Sequence, residues 1–142
     1  MEDASQLKLF TLEEANKLIP RLAGLIQQLR QERDKILALE VEIDALELVT
    51  PKDESGAAPV LDSKVEEYTN VVHGFYHGVD EIHSYGCFLK DIDLGLVDFY
   101  TLYQGRVVYL CWKSGDLQVT YWHEIGGGYL SRQPIAPGQR NG

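Results

Sequence analysis

Apolar residues recur at alternating spacings of three and four over the first third of the chain, and Glu32 is the one polar member of the series. This spacing is that of a heptad seam, so it predicts helix one over residues 11–48. Thr11 and Glu14 have the spacing of a capping box at its start, and Pro20 is expected to bend the helix. The series consists of Leu18, Leu22, Leu25, Leu29, Glu32, Ile36, Leu39, Ile43 and Leu46.

A second series with the same spacing predicts helix two over residues 63–85, where Ser63 and Glu66 resemble another capping box. Residues 49–62 contain two prolines, a glycine and several charges, which is typical of an exposed linker. Helix two is the shorter of the two, so we expect it to lie antiparallel along the C-terminal part of helix one. The rest of helix one then needs cover from the sheet or from a second copy of the chain.

From Gly86 onward the apolar pattern has a period of two, which predicts an antiparallel β-meander of three or four strands over residues 86–124. Turns at Gln104–Gly105 and Ser114–Gly115 are expected to fix its register. In that register one apolar face packs on the helices, and Cys111 and His123 point to opposite faces. The expected inner face contains Val97, Phe99, Val108, Leu110, Trp112, Leu117 and Val119, whereas Asp98, Tyr100, Tyr109 and Trp122 are expected outside.

These elements together predict one α+β domain over residues 1–142. Its architecture is a long, coiled-coil-like antiparallel helical hairpin packed against the β-meander. Residues 125–142 are rich in glycine and proline and are expected to form an irregular tail.

The charge of the chain is unevenly distributed. Residues 1–85 contain 17 acidic and 8 basic side chains, whereas residues 86–142 contain five of each. Because phosphate backbones are bound by clustered lysine and arginine, we expect no nucleic-acid partner. We also expect no membrane association, since no stretch approaches the ~20 apolar residues of a membrane span. The first ten residues lack the features of a signal peptide, so we expect a cytoplasmic location with Cys87 and Cys111 reduced.

Five segments form a specific combination that spans nearly the whole chain: FTLEEANKLIP, KDIDLGLVDF, GRVVYLCWKSGD, YWHE and GGGYLSRQP. In them the chain resembles domain of unknown function 2203, a family of small bacterial proteins. The resemblance implies a cytosolic protein without an established activity. It supplies no catalytic residues, so candidate chemistry has to come from the residues themselves.

One candidate site binds a small anionic ligand. In the expected register Arg106 faces His123 across a hairpin, and Arg132 follows closely enough to fold back toward them. Two guanidinium groups and an imidazole can hold a carboxylate or a phosphate. The alternative is structural, with Arg106 paired to a carboxylate such as Glu124. The candidate set is Arg106, His123, Arg132, Tyr103, Tyr121 and Asp98.

Two further groups are candidate metal ligands. His73 and His77 are four residues apart on the polar face of helix two, a spacing that can bind zinc or nickel if a third ligand is present. Asp91 and Asp93, with Asp98 nearby, offer oxygen ligands for magnesium or calcium. The structural alternatives are an exposed polar face for the histidines and a solvated turn for the aspartates.

Three functions therefore stay open. The first is a non-catalytic interaction or assembly module, which forms a homodimer through the unpaired part of helix one or the outer face of the sheet. The second is a small-ligand protein or an enzyme that uses Arg106, His123 and Arg132. The third is metal binding, the only one of the three that involves a cofactor. The sequence does not decide whether the chain is an enzyme, and the expected register argues against a thiol nucleophile made of Cys111 and His123.

Overall fold

The computed structural model describes residues 7–51 and 58–136, which form two long helices and an antiparallel five-stranded sheet. The strands lie in the order β1-β2-β3-β4-β5. The predicted α+β class and helical hairpin are confirmed, with five strands instead of three or four. The elements are α1 Leu12–Val49, α2 Pro59–Ser84, β1 Cys87–Asp91, β2 Leu96–Tyr103, β3 Arg106–Lys113, β4 Tyr121–His123 and β5 Gln133–Pro134.

The start of α1 has the predicted capping box. The Thr11 hydroxyl accepts a hydrogen bond from the Glu14 N–H at 3.1 Å, and the Glu14 carboxylate accepts one from the Thr11 N–H at 2.8 Å. These two bonds satisfy N–H groups that have no partner within the helix. The helix continues through Pro20.

The start of α2 differs from the prediction. The helix begins at Pro59, and Ala58 occupies the N-cap position without a side-chain hydrogen bond. Ser63 is therefore an interior residue of the helix and does not cap it. Proline fits the first helical position because its φ angle is already helical and its missing N–H would have no partner there. Residues 52–57 of the predicted linker lie outside the described residues.

The two helices are antiparallel and closely packed. Lys64 near the start of α2 forms an ion pair with Glu42 near the end of α1. Gly78 allows the closest approach, because a Cβ atom there would lie 2.8 Å from Leu29 Cδ2. Neither helix of the described segments has an apolar stretch of the length that a membrane crossing requires.

The sheet covers the N-terminal half of α1. The residues that this half buries, Leu22, Ile26 and Leu29 among them, share one core with Phe99 and Trp112 of the sheet. The inner face of β2 and β3 is thus the predicted apolar face, and it packs on the helices as expected. The second copy of the chain that the sequence left open as cover for this half is not needed there.

The first hairpin has the predicted register. Tyr103 lies opposite Arg106, and the two turn residues Gln104 and Gly105 have φ angles of 52° and 80°. Positive φ at both central positions is the geometry of the tight turn that best matches the twist of the flanking strands.

The second hairpin does not have the predicted register. A turn at Ser114–Gly115 that paired β3 directly with β4 would align Leu110 with Val119, but Leu110 lies opposite Trp122, three residues further along. An odd displacement moves every β4 side chain to the other face. Trp122 is therefore inside and His123 outside, which reverses the prediction for both.

Contacts outside the sheet explain this displacement. The Trp112 indole N–H donates to the Asp116 carbonyl at 2.8 Å, and the Val119 N–H donates to Asn16 Oδ1 of α1 at 2.7 Å. The chain between β3 and β4 thus leaves the sheet to bury Val119 against α1. Leu117, predicted on the inner face, is 91% exposed.

Both edges of the sheet are irregular. β1 has a bulge between Leu89 and Asp91, where the pairing with β2 shifts. At the other edge β5 pairs Pro134 with Tyr121. The predicted irregular tail thus contains this short strand and a 3-10 turn at Tyr129–Ser131. Residues 137–142 of the tail lie outside the described residues.

We predict that Asn16→Ala lowers the free energy of unfolding by about 1–3 kcal/mol, because it leaves the Val119 N–H without an acceptor. Chemical denaturation measures the effect. Asn16→Asp is the matched control, since it keeps the acceptor oxygen and should stay within about 0.5 kcal/mol of the wild type. Equal stability of the alanine variant and the wild type would show that this bond does not hold the connection.

Candidate functional site

Three polar side chains converge on the outer face of the sheet, the face turned away from the helices. Asp98 of β2 lies opposite Cys111 of β3. His123 of β4 lies opposite Tyr109, which is two residues from Cys111 along β3, so all three side chains share one face. All three are buried, with 4%, 1% and 3% of their surface exposed. The carboxylate oxygen, the thiol sulfur and the imidazole nitrogen all lie within 4.8 Å of one another. We call these three residues the outer-face cluster.

The hydrogen bonds of His123 orient its ring toward the cluster. Nδ1 lies 2.9 Å from the Glu124 carbonyl oxygen, and Nε2 lies 3.2 Å from Asp98 Oδ2. Because a carbonyl oxygen can only accept, Nδ1 carries a hydrogen and donates it. Nε2 is thereby the nitrogen that faces the carboxylate and the thiol.

Burial favours the neutral forms of Asp98 and Cys111. Burial and the neighbouring Asp98 carboxylate raise the pKa of the Cys111 thiol to about 12, against a smaller opposing effect of the Arg132 guanidinium. Burial also raises the pKa of Asp98, while His123 and Lys90 act in the opposite direction. Cys111 is therefore a thiol at neutral pH and not the thiolate that a nucleophile requires.

A cavity of about 160 Å³ opens in front of the outer-face cluster. The three cluster residues form its floor. Lys90, Tyr109 and Tyr129 also line it, together with Leu96, Ile125, Gly127 and Gly128. The cluster thus lies at a half-open cavity that is accessible from solvent.

A row of aromatic rings holds the Tyr109 wall in place. The ring centres of Phe88 and Tyr100 lie 5.4 Å apart in an edge-to-face contact, and those of Tyr100 and Tyr109 lie 4.9 Å apart in a stack. The ring centres of Tyr109 and His123 lie 5.3 Å apart. The Tyr109 hydroxyl also donates to the Tyr100 hydroxyl at 3.3 Å. Ring contacts of this kind restrict the position of Tyr109 and of the imidazole beside it.

Arg132 lies beside the cluster with its guanidinium group close to two aromatic rings. Its central carbon is 4.0 Å from the centre of the Tyr121 ring and 4.3 Å from that of Tyr129. One terminal nitrogen donates to the Tyr129 hydroxyl at 3.4 Å. The other, Nη1, is buried and finds no hydrogen-bond partner among the described residues.

Four of the six predicted ligand-binding residues meet at this site, namely Asp98, Tyr121, His123 and Arg132. Arg106 does not join them, because its guanidinium group binds both carboxylate oxygens of Glu124, at 2.9 and 2.8 Å. The prediction that Arg106 faces His123 is wrong because of the register displacement, and the structural alternative describes Arg106 correctly. Tyr103 faces the helical side and packs on the Trp122 ring at 4.8 Å.

The predicted metal ligands outside this site form no three-residue cluster within residues 7–51 and 58–136. His73 and His77 are exposed on α2. The Asp91 carboxylate accepts a hydrogen bond from the Leu94 N–H at 2.8 Å, and Asp93 pairs with Arg33. The two aspartates stabilise the β1–β2 turn and its contact with α1.

Sequence reasoning missed Cys111 and Lys90. The predicted register puts Cys111 and His123 on opposite faces of the sheet, whereas the structure puts them on the same face. The sequence nevertheless contains a signal for the observed register. In the segment Tyr121-Trp122-His123, tryptophan is the most apolar residue, and placing it on the inner face turns His123 outward.

The family model described as "Uncharacterized conserved protein (DUF2203)" matches residues 8–135, a range that includes the whole outer-face cluster. The family resemblance seen in the sequence is thereby confirmed. Comparison with curated proteins and with solved structures gives no significant match.

We predict that Cys111 reacts with iodoacetamide at neutral pH roughly a thousandfold more slowly in the native protein than in the unfolded chain, because its pKa lies well above the ~8.5 of a free thiol. Mass spectrometry of a Cys87→Ser variant, in which Cys111 is the one remaining cysteine, measures the rate. Alkylation of the folded variant at the rate of an exposed thiol would contradict the buried, protonated state.

Proposed function

The chain belongs to DUF2203, a family of uncharacterized conserved proteins, and we propose that it binds a divalent transition metal of the zinc type through Asp98, Cys111 and His123. The observation that carries this proposal is the convergence of three buried ligand atoms within 4.8 Å of one another. Within the described residues, no other three such side chains meet in this way. Bond formation requires the three groups to close in slightly around an ion.

The donor set supports zinc over magnesium or calcium. Sulfur and imidazole nitrogen are preferred ligands of zinc, whereas magnesium and calcium take oxygen ligands. The hydrogen bond from His123 Nδ1 to the Glu124 carbonyl is also the arrangement typical of a metal-binding histidine, in which the second nitrogen is held by a backbone acceptor. Nε2, which faces Asp98 and Cys111, is then the nitrogen that would coordinate a metal.

A cation also balances the electrostatics of the cluster. Burial opposes ionisation of both Asp98 and Cys111, and each negative charge would oppose the other. A divalent ion between them stabilises the carboxylate and the thiolate together, and its binding releases the thiol proton. The cytoplasmic location expected from the sequence suits this role, because it keeps Cys111 reduced.

Three protein ligands leave a fourth position of a tetrahedral metal open. In zinc proteins this open position is typical of catalytic sites, whereas structural sites use four protein ligands. Here the cavity in front of the cluster provides the space for it. A metal held by Asp98, Cys111 and His123 would supply Lewis-acid chemistry at the cavity.

We predict that protein purified without a histidine tag binds one Co²⁺ ion per chain and develops the charge-transfer absorption of a cobalt–thiolate bond. Cys111→Ser should abolish this band, because it removes the sulfur ligand. Cys87→Ser is the matched control, since Cys87 is equally buried but lies on the inner face.

Circular dichroism verifies that both serine variants are folded. A wild-type protein without the band, or a Cys111→Ser variant that keeps it, would refute the metal site. Zinc is then tested by competition, and it should displace cobalt, because thiolate and imidazole are preferred zinc ligands.

Self-association is a second candidate property, supported by a stripe of exposed apolar residues on the distal part of α1. Leu37, Val41 and Leu48 are 53%, 71% and 88% exposed, and their spacings of four and seven put them on one side of the helix. The same kind of spacing packs α1 on α2. A second copy of the chain supplies a matching stripe, so we propose a homodimer through this part of α1.

We predict that Val41→Glu lowers the mass measured by light scattering toward that of the monomer. Val60→Glu is the control, because Val60 is 64% exposed but belongs to α2. Asp44 lies within this stripe, three residues after Val41 and four before Leu48, and would repel its counterpart in a second copy. Association should therefore strengthen as salt screens this charge. A wild-type protein that stays monomeric at high concentration and high salt would exclude this dimer.

A further inference from the structure

We propose that Arg132 is a positioning residue of the metal site, whose cationic N–H group at Nη1 donates a hydrogen bond to the Cys111 sulfur when that sulfur is a metal-bound thiolate. This inference rests on the proposed metal site and assigns a role to a residue that does not itself bind the ion. Its basis is the place of Arg132 beside Cys111, its buried N–H group without an acceptor and its missing counter-charge.

The strand pairing places Arg132 next to Cys111. Tyr121 of β4 lies directly opposite Cys111 of β3, so both side chains point to the outer face. The 3-10 turn at Tyr129–Ser131 brings the chain back to this point, and β5 then pairs with β4. The guanidinium carbon of Arg132 lies 4.0 Å from the centre of the Tyr121 ring. The guanidinium group therefore lies against the cross-strand neighbour of the thiol.

The two tyrosines satisfy only part of the guanidinium group. Their rings attract its positive charge, and the Tyr129 hydroxyl accepts a hydrogen bond from Nη2 at 3.4 Å. Nη1 is buried and has no hydrogen-bond partner of normal geometry among residues 7–51 and 58–136. A buried donor of a charged group without an acceptor is costly, so packing on the rings does not by itself explain where this group lies.

The Cys111 sulfur can supply the missing acceptor. The Arg132 guanidinium is close to it, since both its charge and its contact with the sulfur lower the pKa of Cys111 against the larger effect of burial. A protonated thiol is a weak acceptor, whereas an ionised group forms strong hydrogen bonds with a guanidinium donor. Metal binding converts the thiol to a thiolate, so the bond from Nη1 is completed in the metal-bound protein.

The charge of Arg132 is unbalanced as well. Across the part of the chain that the structure describes, its nitrogen atoms lie more than 4.0 Å from any carboxylate oxygen, whereas Arg106 pairs with Glu124. The Asp98 carboxylate opposes ionisation of Cys111, and the Arg132 guanidinium favours it. Arg132 thus offsets the repulsion between two of the proposed ligands.

A hydrogen bond to a coordinating sulfur changes the metal as well as the ligand. The bond withdraws electron density from the sulfur, so the thiolate donates less charge to the ion. The ion then keeps more of its own charge toward the open position that faces the cavity. Residues that orient and polarise metal ligands in this way commonly contribute a factor of about 10–100 to metal affinity.

The test compares the cobalt complexes of the wild type, Arg132→Met and Arg132→Lys. Arg132→Met removes the charge and the N–H donor but keeps an apolar side chain on the tyrosine rings. We expect it to weaken cobalt binding roughly 10- to 100-fold. It should also move the cobalt–thiolate charge-transfer band to longer wavelength, because the sulfur electrons lose the stabilising hydrogen bond. Arg132→Lys keeps a cationic donor and should recover part of both effects.

Lys113→Met is the matched control. Lys113 is a second cation at the Tyr129 ring, with its ammonium nitrogen 5.7 Å from the ring centre. Its substitution removes the same charge and a contact with the same ring, but no donor to the sulfur, so the band and the cobalt affinity should stay as in the wild type. Circular dichroism verifies that all three variants are folded.

The outcomes separate this inference from the metal site. A wild-type protein without the cobalt–thiolate band refutes the metal site and the role of Arg132 with it. A wild-type band that keeps its position in Arg132→Met refutes the hydrogen bond alone, and weaker cobalt binding with that unmoved band leaves Arg132 a purely structural role. An equal shift in Lys113→Met, or no recovery in Arg132→Lys, overturns the assignment of the effect to the cationic N–H group of Arg132.

Discussion

The burial of Trp122 on the helical side of the sheet is the interaction on which the outer-face cluster depends. Trp122 is 7% exposed and packs on Tyr103, and its neighbour His123 must then point to the opposite face. Only in that register does the imidazole reach Asp98 and Cys111. Apolar packing on one side of a strand thus decides which polar groups meet on the other side.

The features of the fold that rest on local sequence could be predicted, and those that rest on distant contacts could not. The cap at Thr11 and the turn at Gln104–Gly105 involve neighbouring residues, and both form as expected. The connection before β4 depends on Asn16, which is 103 positions from its partner Val119. The spacing of the turn residues does not contain that information, so the register predicted from the turn is wrong and puts Cys111 and His123 on opposite faces.

The two faces of the sheet differ in the polarity of their buried residues, because the outer face contains the cluster and the inner face is apolar. An aspartate, a thiol and a histidine buried together stabilise a sheet less than apolar residues of similar size would. Unfavourable groups of this kind concentrate where a protein binds or reacts, and other parts of the structure compensate for them. Here the compensation comes from the dry core between α1 and the inner face, where Phe99 and Trp112 are almost fully buried.

The irregular edges of the sheet limit how copies of the chain can join. A regular edge strand exposes unpaired N–H and carbonyl groups and invites another strand to add to the sheet, which is a common start of aggregation. Pro134 in β5 has no N–H to offer, and the bulge at Leu89–Asp91 interrupts the ladder at the β1 edge. The sheet therefore resists edge-to-edge growth, and its outer face can carry a binding site without nucleating fibrils.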